Sequence, residues 1–329
     1  FDFGIFAQMY EYMKQKGTIS TTVERNKLLS HFAVHFSPIF YIALPIYFIF
    51  DNAITVQLIQ AFMVAIPVIP ILLLCKHHKL SNQMAIAVSL IYVLYPATAG
   101  GTFYDIHENC FITFFLLMLA WAVEKKKNVA AVIFAILSLM VKEDAPVYVF
   151  ILGIFFLFSK KDKKRGVILI VASAIYFAMA TAIVNSYGLG IQEYRFGNLY
   201  FTQDGGLIQV FETLLANPGY AISQIIRNTN DNSMDKIGYI ISMLVPVAAV
   251  LFTTGKKYSR YILLLPFIII NLLPTYLYMH DITFQYDFSV IALMMYAIIL
   301  NIADMDVNRA KKLATVSVIC ASVMFMGSI

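Results

Sequence analysis

The sequence predicts an all-α fold, a polytopic bundle of transmembrane helices in a single integral-membrane domain over residues 1–329, and three observations carry that prediction. Hydrophobic residues make up 60% of the chain and charged residues 13%, against roughly 45–50% and about 25% in soluble domains. So few polar groups cannot cover a surface in water. Apolar runs recur at intervals of about 20 residues, the helical length that crosses a bilayer core. Sixteen of the 24 Lys and Arg residues fall in five short loops at every second turn of the chain.

Taken in order, residues 1–36 mix aromatics with charges and hold no run long enough to span, which predicts an interfacial, partly helical segment. No signal-peptide pattern opens the chain at Phe1, and an upstream spanning helix is expected to precede it. The apolar run 37–50 is short and carries Pro38 and Pro45, as a re-entrant or juxtamembrane helix does. Spans are predicted at 53–75, 82–99, 109–123, 128–142, 145–158, 166–184, 237–253, 261–279, 284–303 and 313–329. Those between 109 and 158 are short. At about 1.5 Å per residue they need flanking residues or local thinning to cover a core of about 30 Å. Residues 185–236 form the long extramembrane segment, with Gly188, Gly190, Gly205, Gly206 and Pro218 among Tyr187, Tyr194, Phe196, Tyr200 and Phe201. A lid or a set of interfacial helices is expected there.

The five basic loops, at 76–79, 125–127, 160–165, 256–260 and 309–312, are cytoplasmic by the positive-inside rule. Of the 19 carboxylates, all but Glu124, Asp162, Asp304 and Asp306 then lie on or near the outer side, which makes the extracytoplasmic face of a cell membrane the expected functional face. Basic residues confined to loops between spans argue against nucleic acid as a partner and for membrane lipid. The sequence says nothing of protein partners. Cys75, Cys110 and Cys320 are odd in number and sit in or beside apolar runs, so neither a disulfide framework nor a metal spacing is present.

Polar clusters interrupt the apolar pattern in four outer places. Asp105, His107, Glu108 and Asn109 head the span at 109–123. Their plain reading is a solvated loop with Asp105 or Asn109 capping a helix; their functional reading is an acid–base site or, through Asp105, His107 and Glu108, a divalent-cation site. Lys142, Glu143 and Asp144 occupy a tight turn between two spans. Charges so close to hydrocarbon must snorkel, pair or line a cavity. Asp2 lies among Phe1, Phe3 and Phe6, where burial would raise its pKa as a general base requires. His280, Asp281, Tyr286 and Asp287 form the fourth group. His31 and His35 stand four residues apart, a spacing that suits a metal but equally suits packing among Phe32 and Phe36. His77 and His78 belong to the first basic loop, and Asp304-Met305-Asp306 is a coincidental match to a sugar-nucleotide motif.

The order of several short motifs resembles one family. Phe1-Asp2-Phe3-Gly4-Ile5-Phe6-Ala7-Gln8, His35-Phe36-Ser37-Pro38, Tyr95-Pro96 with Asp105-Ile106-His107, and Lys142-Glu143-Asp144 follow one another as in the prokaryotic membrane proteins called domain of unknown function 2079. Asn217-Pro218 and 280–286 are weaker marks, and Ala7 and Ile106 depart from the acidic and aromatic residues expected at those positions. That family is similar in layout to integral-membrane glycosyltransferases of the C-type (GT-C) fold, which place a catalytic carboxylate in the first outward loop and take sugars from polyprenyl-phosphate carriers. The resemblance implies Asp2 as base, with Asp105, His107 and Glu108 orienting the acceptor or holding a cation. It implies Lys142, Arg195 or Arg227 at the phosphate, and His35, Glu143, Asp144, His280 and Tyr286 as further substrate contacts. A transporter or lipid flippase, or a noncatalytic membrane component, stands as the alternative.

Overall fold

The structure is a computed structural model that describes residues 1–187, 193–202, 205–228 and 235–328. Gly188 and Gly190 lie outside the described residues, as do other parts of 185–236 and Ile329. Among the described residues the fold is all-α apart from a two-residue hairpin, β1 (Ser20–Thr21) and β2 (Leu29–Ser30). The helices are α1 (Asp2–Lys16), α2 (Ile39–Ile49), α3 (Ile54–Ala65), α4 (Val68–His77), α5 (Asn82–Val93), α6 (Pro96–Phe103), α7 (Ile112–Glu124) and α8 (Asn128–Leu139). They continue with α9 (Ala145–Phe158), α10 (Lys163–Ser186), α11 (Leu207–Ala216), α12 (Pro218–Ile226), α13 (Asp235–Leu244), α14 (Ala248–Leu251), α15 (Phe288–Ala303) and α16 (Val307–Ser328).

Among the described residues four helices are long and apolar enough to cross a membrane: Ile54–His77, Lys163–Ser186, Gln285–Ala303 and Val307–Gly327. A fifth crossing is available if α5 and α6 count as one span bent by 44°. The bend falls at Pro96, which has no N–H to continue the ladder and so starts α6 instead. The predicted spans at 109–123, 128–142 and 145–158 are the helices α7, α8 and α9, only 13, 12 and 14 residues long. The predicted span at 237–253 is broken into α13 and the four-residue α14. The one at 261–279 is a run of 3₁₀ turns with a π segment at Phe267–Leu272.

α15 is the axis of the bundle. Its sequence is apolar on every face, which suits full burial, and 94% of its spanning window is inside the protein, against 22% for α10 and for α16. Helices α4, α5, α6, α7, α9 and α14 surround it. Thr113 on α7 donates its hydroxyl to the Phe288 carbonyl at 2.7 Å, where the chain enters α15. Two glycines permit close approach nearby: a Cβ on Gly100 would lie 2.3 Å from the Ile282 carbonyl oxygen, and one on Gly101 3.0 Å from the Phe288 ring. Their role is packing against the turn that leads into α15.

The five basic loops gather at one end. His78 meets Glu124 at 2.7 Å, Lys160 meets the same carboxylate at 2.6 Å, and Arg165 reaches Asn128. Ser259 bonds Ser159, and Arg260 pairs with Asp304. Four of these turns pass through a lysine with positive φ: Lys79, Lys126, Lys161 and Lys256. Behind two of them the chain closes in the Schellman manner, Leu80 N–H on the Cys75 carbonyl and Lys127 N–H on the Ala122 carbonyl.

α9 and α10 pack backbone to backbone through Gly153 and Gly166. A Cβ on Gly166 would sit 2.8 Å from both the Gly153 carbonyl oxygen and the Leu157 nitrogen. Small residues at helix crossings let membrane helices approach this closely. Gly166→Ala is therefore expected to destabilise the bundle by about 1–3 kcal/mol through overpacking. Thermal unfolding in detergent measures it, with Gly238→Ala, where a Cβ meets nothing, as the neutral control.

Candidate functional site

The end opposite the basic loops is built around residues 104–109. α7, α9 and α15 each start beside it and run to the basic end at Glu124, Ser159 and Asp304. Gln60, a buried amide within apolar α3, fixes the loop: its Nε2 donates to the Tyr104 carbonyl at 2.8 Å and the Thr102 carbonyl at 3.2 Å, and its Oε1 accepts the His107 N–H at 3.2 Å, while Gln57 on the same helix donates to the Tyr104 carbonyl at 3.4 Å. Asp2, in the first turn of α1, meets this loop twice. Its Oδ2 accepts the Tyr104 hydroxyl at 2.8 Å and lies 3.4 Å from His107 Nε2. Tyr104 stacks on the His107 ring, with centroids 5.4 Å apart. His107 Nδ1 lies 3.1 Å from the Asp105 carbonyl oxygen. The Asp105 side chain turns back to α1 and accepts the Phe3 N–H at 2.9 Å.

Glu108 and Lys142 form a fully buried ion pair, Nζ to Oε1 2.9 Å, with side chains 0% and 2% exposed. Lys142 also reaches Asn109 Oδ1 at 3.4 Å. Burial by itself raises a carboxylate pKa. In Glu108 the adjacent Lys142, followed by His35 and His107, outweighs burial and holds the group well below the usual glutamate range. Burial, then Lys142, pushes the His35 imidazole well down, while burial pushes Glu143 up. His35 Nδ1 and Glu143 Oε1 are 2.7 Å apart, and Glu143 Oε2 accepts the Phe36 N–H at 2.9 Å. Burial disfavours the charged form of both side chains, and this contact holds them together. His31 uses its Nδ1 for Glu24 at 3.1 Å and meets the His35 ring edge-on. The two histidines therefore serve different carboxylates.

Tyr286 ties the third element in. Lys142 Nζ and the buried Arg195 guanidinium each lie 5.4 Å from its ring centroid, and Arg195 is 4.3 Å from the Tyr276 ring. Asp144 precedes α9, and burial together with Glu143 and Glu108 pushes it up to about 6 against the pull of Lys142. His280 is buried beside Tyr239 and Asn271, farther along the same turn region. Arg227 sits exposed at the end of α12 and does not join the cluster.

Asp105, His107 and Glu108 do not present three ligand atoms to one point, because Glu108 faces Lys142 and Asp105 faces α1. Among the described residues the His/Cys/Asp/Glu group close enough to hold a metal is His77, His78 and Glu124 at the basic end. Sequence reasoning missed Gln60, Tyr104, Glu24 and Tyr276. Gln60 had a signal, as one of two glutamines, with Gln57, inside an apolar span; the others had none.

Beside the cluster runs an apolar groove of about 670 Å³ between α2, α3 and α7. Its walls include Ile46, Leu58, Phe62, Phe111 and Phe115, and Asp51 and Asn52 stand at one edge. Phe111 closes the same 3₁₀ turn that Glu108 opens. A carboxylate with a phenol and an imidazole on it, two buried cations, and an adjoining apolar groove can accept a proton, meet an anion and hold an apolar chain.

A helical membrane bundle with a buried cluster of ionisable side chains at one end is the class of protein these features define. The chain belongs to the family described as predicted membrane protein (DUF2079), whose sequence profile matches residues 1–329, the family its ordered motifs resemble. No curated protein and no solved structure matches the chain.

Two predictions follow from the charges. Lys142→Met strands a buried carboxylate and should cost about 3–5 kcal/mol in stability, most of it recovered in Glu108→Gln/Lys142→Met. Denaturation of the wild type and the two variants measures this. Asp144 has a folded pKa of about 6, above an unfolded value near 4, so the folded state binds the proton more tightly. Wild-type stability should then fall relative to Asp144→Asn as pH rises from about 4 to about 6, and level off above. Melting curves across that range give the sign.

Proposed function

We propose that the protein is a membrane glycosyltransferase that moves a sugar from a polyprenyl-phosphate carrier to an acceptor hydroxyl at the extracytoplasmic face, on a GT-C-like layout of about ten spans. The observation that carries the reading is the meeting of Asp2, His107, Glu108 and Lys142 in one cluster beside an apolar groove. In the reaction the acceptor oxygen bonds to the sugar's anomeric carbon as the bond from that carbon to the phosphate oxygen breaks. Asp2 takes the hydroxyl proton, oriented by Tyr104 and His107. Positive charge must meet the phosphate that departs. Arg195 supplies it, with Lys142 also close to the Tyr286 ring. His35, Glu143 and Asp144 line the neighbouring turn, and His280 lies deeper. Arg227, exposed at the end of α12, suits a lipid headgroup rather than the reacting phosphate. A cation role for Asp105, His107 and Glu108 has less support, since their side chains face other partners.

Depth supports a lipid-borne donor. α9 and α15 have 14 and 16 residues between the cluster and the basic end, roughly 20–24 Å at the helical rise, less than a core of about 30 Å. With the basic end at the cytoplasmic interface, the cluster is recessed beneath the opposite one, at the level a lipid phosphate reaches with its chain in the groove.

A second reading, transport or lipid flipping, is favoured by the bent α5–α6 pair and the π segment at Phe267–Leu272. Transporters use interrupted helices for binding sites. The two readings separate in one comparison. Purified full-length protein in detergent should transfer label from polyprenyl-phosphate sugars to acceptor, and Asp2→Asn should lower the rate by about 100-fold or more, the scale of general-base catalysis. Unchanged transfer by Asp2→Asn removes that residue from the mechanism. Absence of transfer together with solute or lipid movement in proteoliposomes supports the second reading.

A further inference from the structure

We propose a divalent transition-metal site, of the kind that takes zinc, at the basic end of the bundle, formed by His77 and His78 at the end of α4 and Glu124 at the end of α7. The three side chains offer ligand atoms that all lie within 4.8 Å of one another. His78 Nε2 is 2.7 Å and His77 Nε2 3.6 Å from the same carboxylate oxygen, Oε2. A tetrahedral ion with bonds of about 2.0–2.1 Å spaces its ligands roughly 3.3–3.5 Å apart. The closest pair must open slightly and the widest must close. The two imidazoles, 26% and 17% exposed, have room to turn.

The carboxylate is already oriented for this task. Its other oxygen, Oε1, accepts the Tyr296 hydroxyl at 2.9 Å and faces Lys160 Nζ at 2.6 Å. Glu124 is 5% exposed, so Oε1 is held from the core side and from the 160–165 loop while Oε2 points at the imidazoles. Outer partners that fix a ligating carboxylate in this way are a regular part of metal sites. Two imidazole nitrogens and one carboxylate oxygen suit zinc or a neighbouring first-row ion rather than magnesium or calcium, which prefer oxygen. A fourth position is left toward solvent. The ion would take the place of the direct contact between His78 and Glu124, and would clasp α4 to α7. This site shares no residue with the proposed transferase site and stands or falls separately.

The test uses the full chain, purified in detergent without a polyhistidine tag and stripped with EDTA. Zn(II) is titrated against a chromophoric chelator, and Co(II) is titrated in parallel for its visible d–d bands. Expected are one equivalent bound, four-coordinate Co(II) bands, and a melting temperature raised by the metal. His77→Asn and His78→Asn should each weaken binding at least about tenfold and remove the bands, and Tyr296→Phe should weaken it about 10-fold or more. His77 is half-buried and 3.6 Å from Glu124, so the metal-free melting temperature of His77→Asn should match the wild type, while His78→Asn, which loses the 2.7 Å contact, should melt lower. No saturable uptake, or uptake unchanged in both histidine variants, overturns the proposal.

Discussion

A lysine and a glutamate that no water reaches, Lys142 and Glu108, are the constraint on which the rest of one end depends. Moving each ion out of water costs several kcal/mol, and neither can be left without the other. Their segments are therefore not free to drift. The turn after α8 is fastened to the loop before α7, so α7, α8 and α9 meet at one point. Around that fixed pair the other groups find their places: His35 with Glu143, the Tyr286 ring with Arg195, and Asp2 with His107. The electrostatics follow from the same pair. Lys142 holds Glu108 down against its burial, and it adds to the burial that already pushes the His35 imidazole down.

The basic end repeats this arrangement with other residues. Glu124 is the buried carboxylate there, and His78, Lys160 and Tyr296 converge on it from three segments. Arg260 and Asp304 tie the start of the irregular 258–280 region to the end of α15. Between the two ends the helices carry little charge and hold together by shape, as at Gly153 and Gly166. Polar fasteners at the ends and close packing between them are a workable division where lipid gives no hydrophobic drive for helix association.

Much of this was legible in the chain, but only where one-dimensional information suffices. Composition implied an all-α membrane protein, and the spacing of Lys and Arg correctly grouped five loops that the structure brings together. Hydropathy could not tell a continuous helix from a broken one. It counts apolar residues and is blind to the backbone bonds that make 258–280 a series of 3₁₀ and π turns. At the site, polar residues between apolar runs stood out, yet their pairings did not. Lys142 adjoins Glu143 in sequence and pairs instead with Glu108; His31 and His35 share a spacing but not a partner. Gln60 was passed over because two amides, Gln57 and Gln60, barely dent a hydropathy window, although Gln60 fixes the loop that carries His107. His77 and His78 looked like part of a basic loop because Glu124 lies far away along the chain.

The four lysines that turn with positive φ have a consequence for how the protein is made. Glycine adopts that conformation without penalty, whereas a residue with a side chain gives up about 1–2 kcal/mol. Part of this is returned because a cation sits well at a helix C-terminus. The larger return comes earlier. During membrane insertion no fold exists to judge a turn by its backbone geometry, and what retains a loop on one side is its charge. Lys79, Lys126, Lys161 and Lys256 act first as topological signals in a nascent chain and only afterwards as corners of a finished one. Glycine at those positions would make better corners for a chain less certain of which way to face.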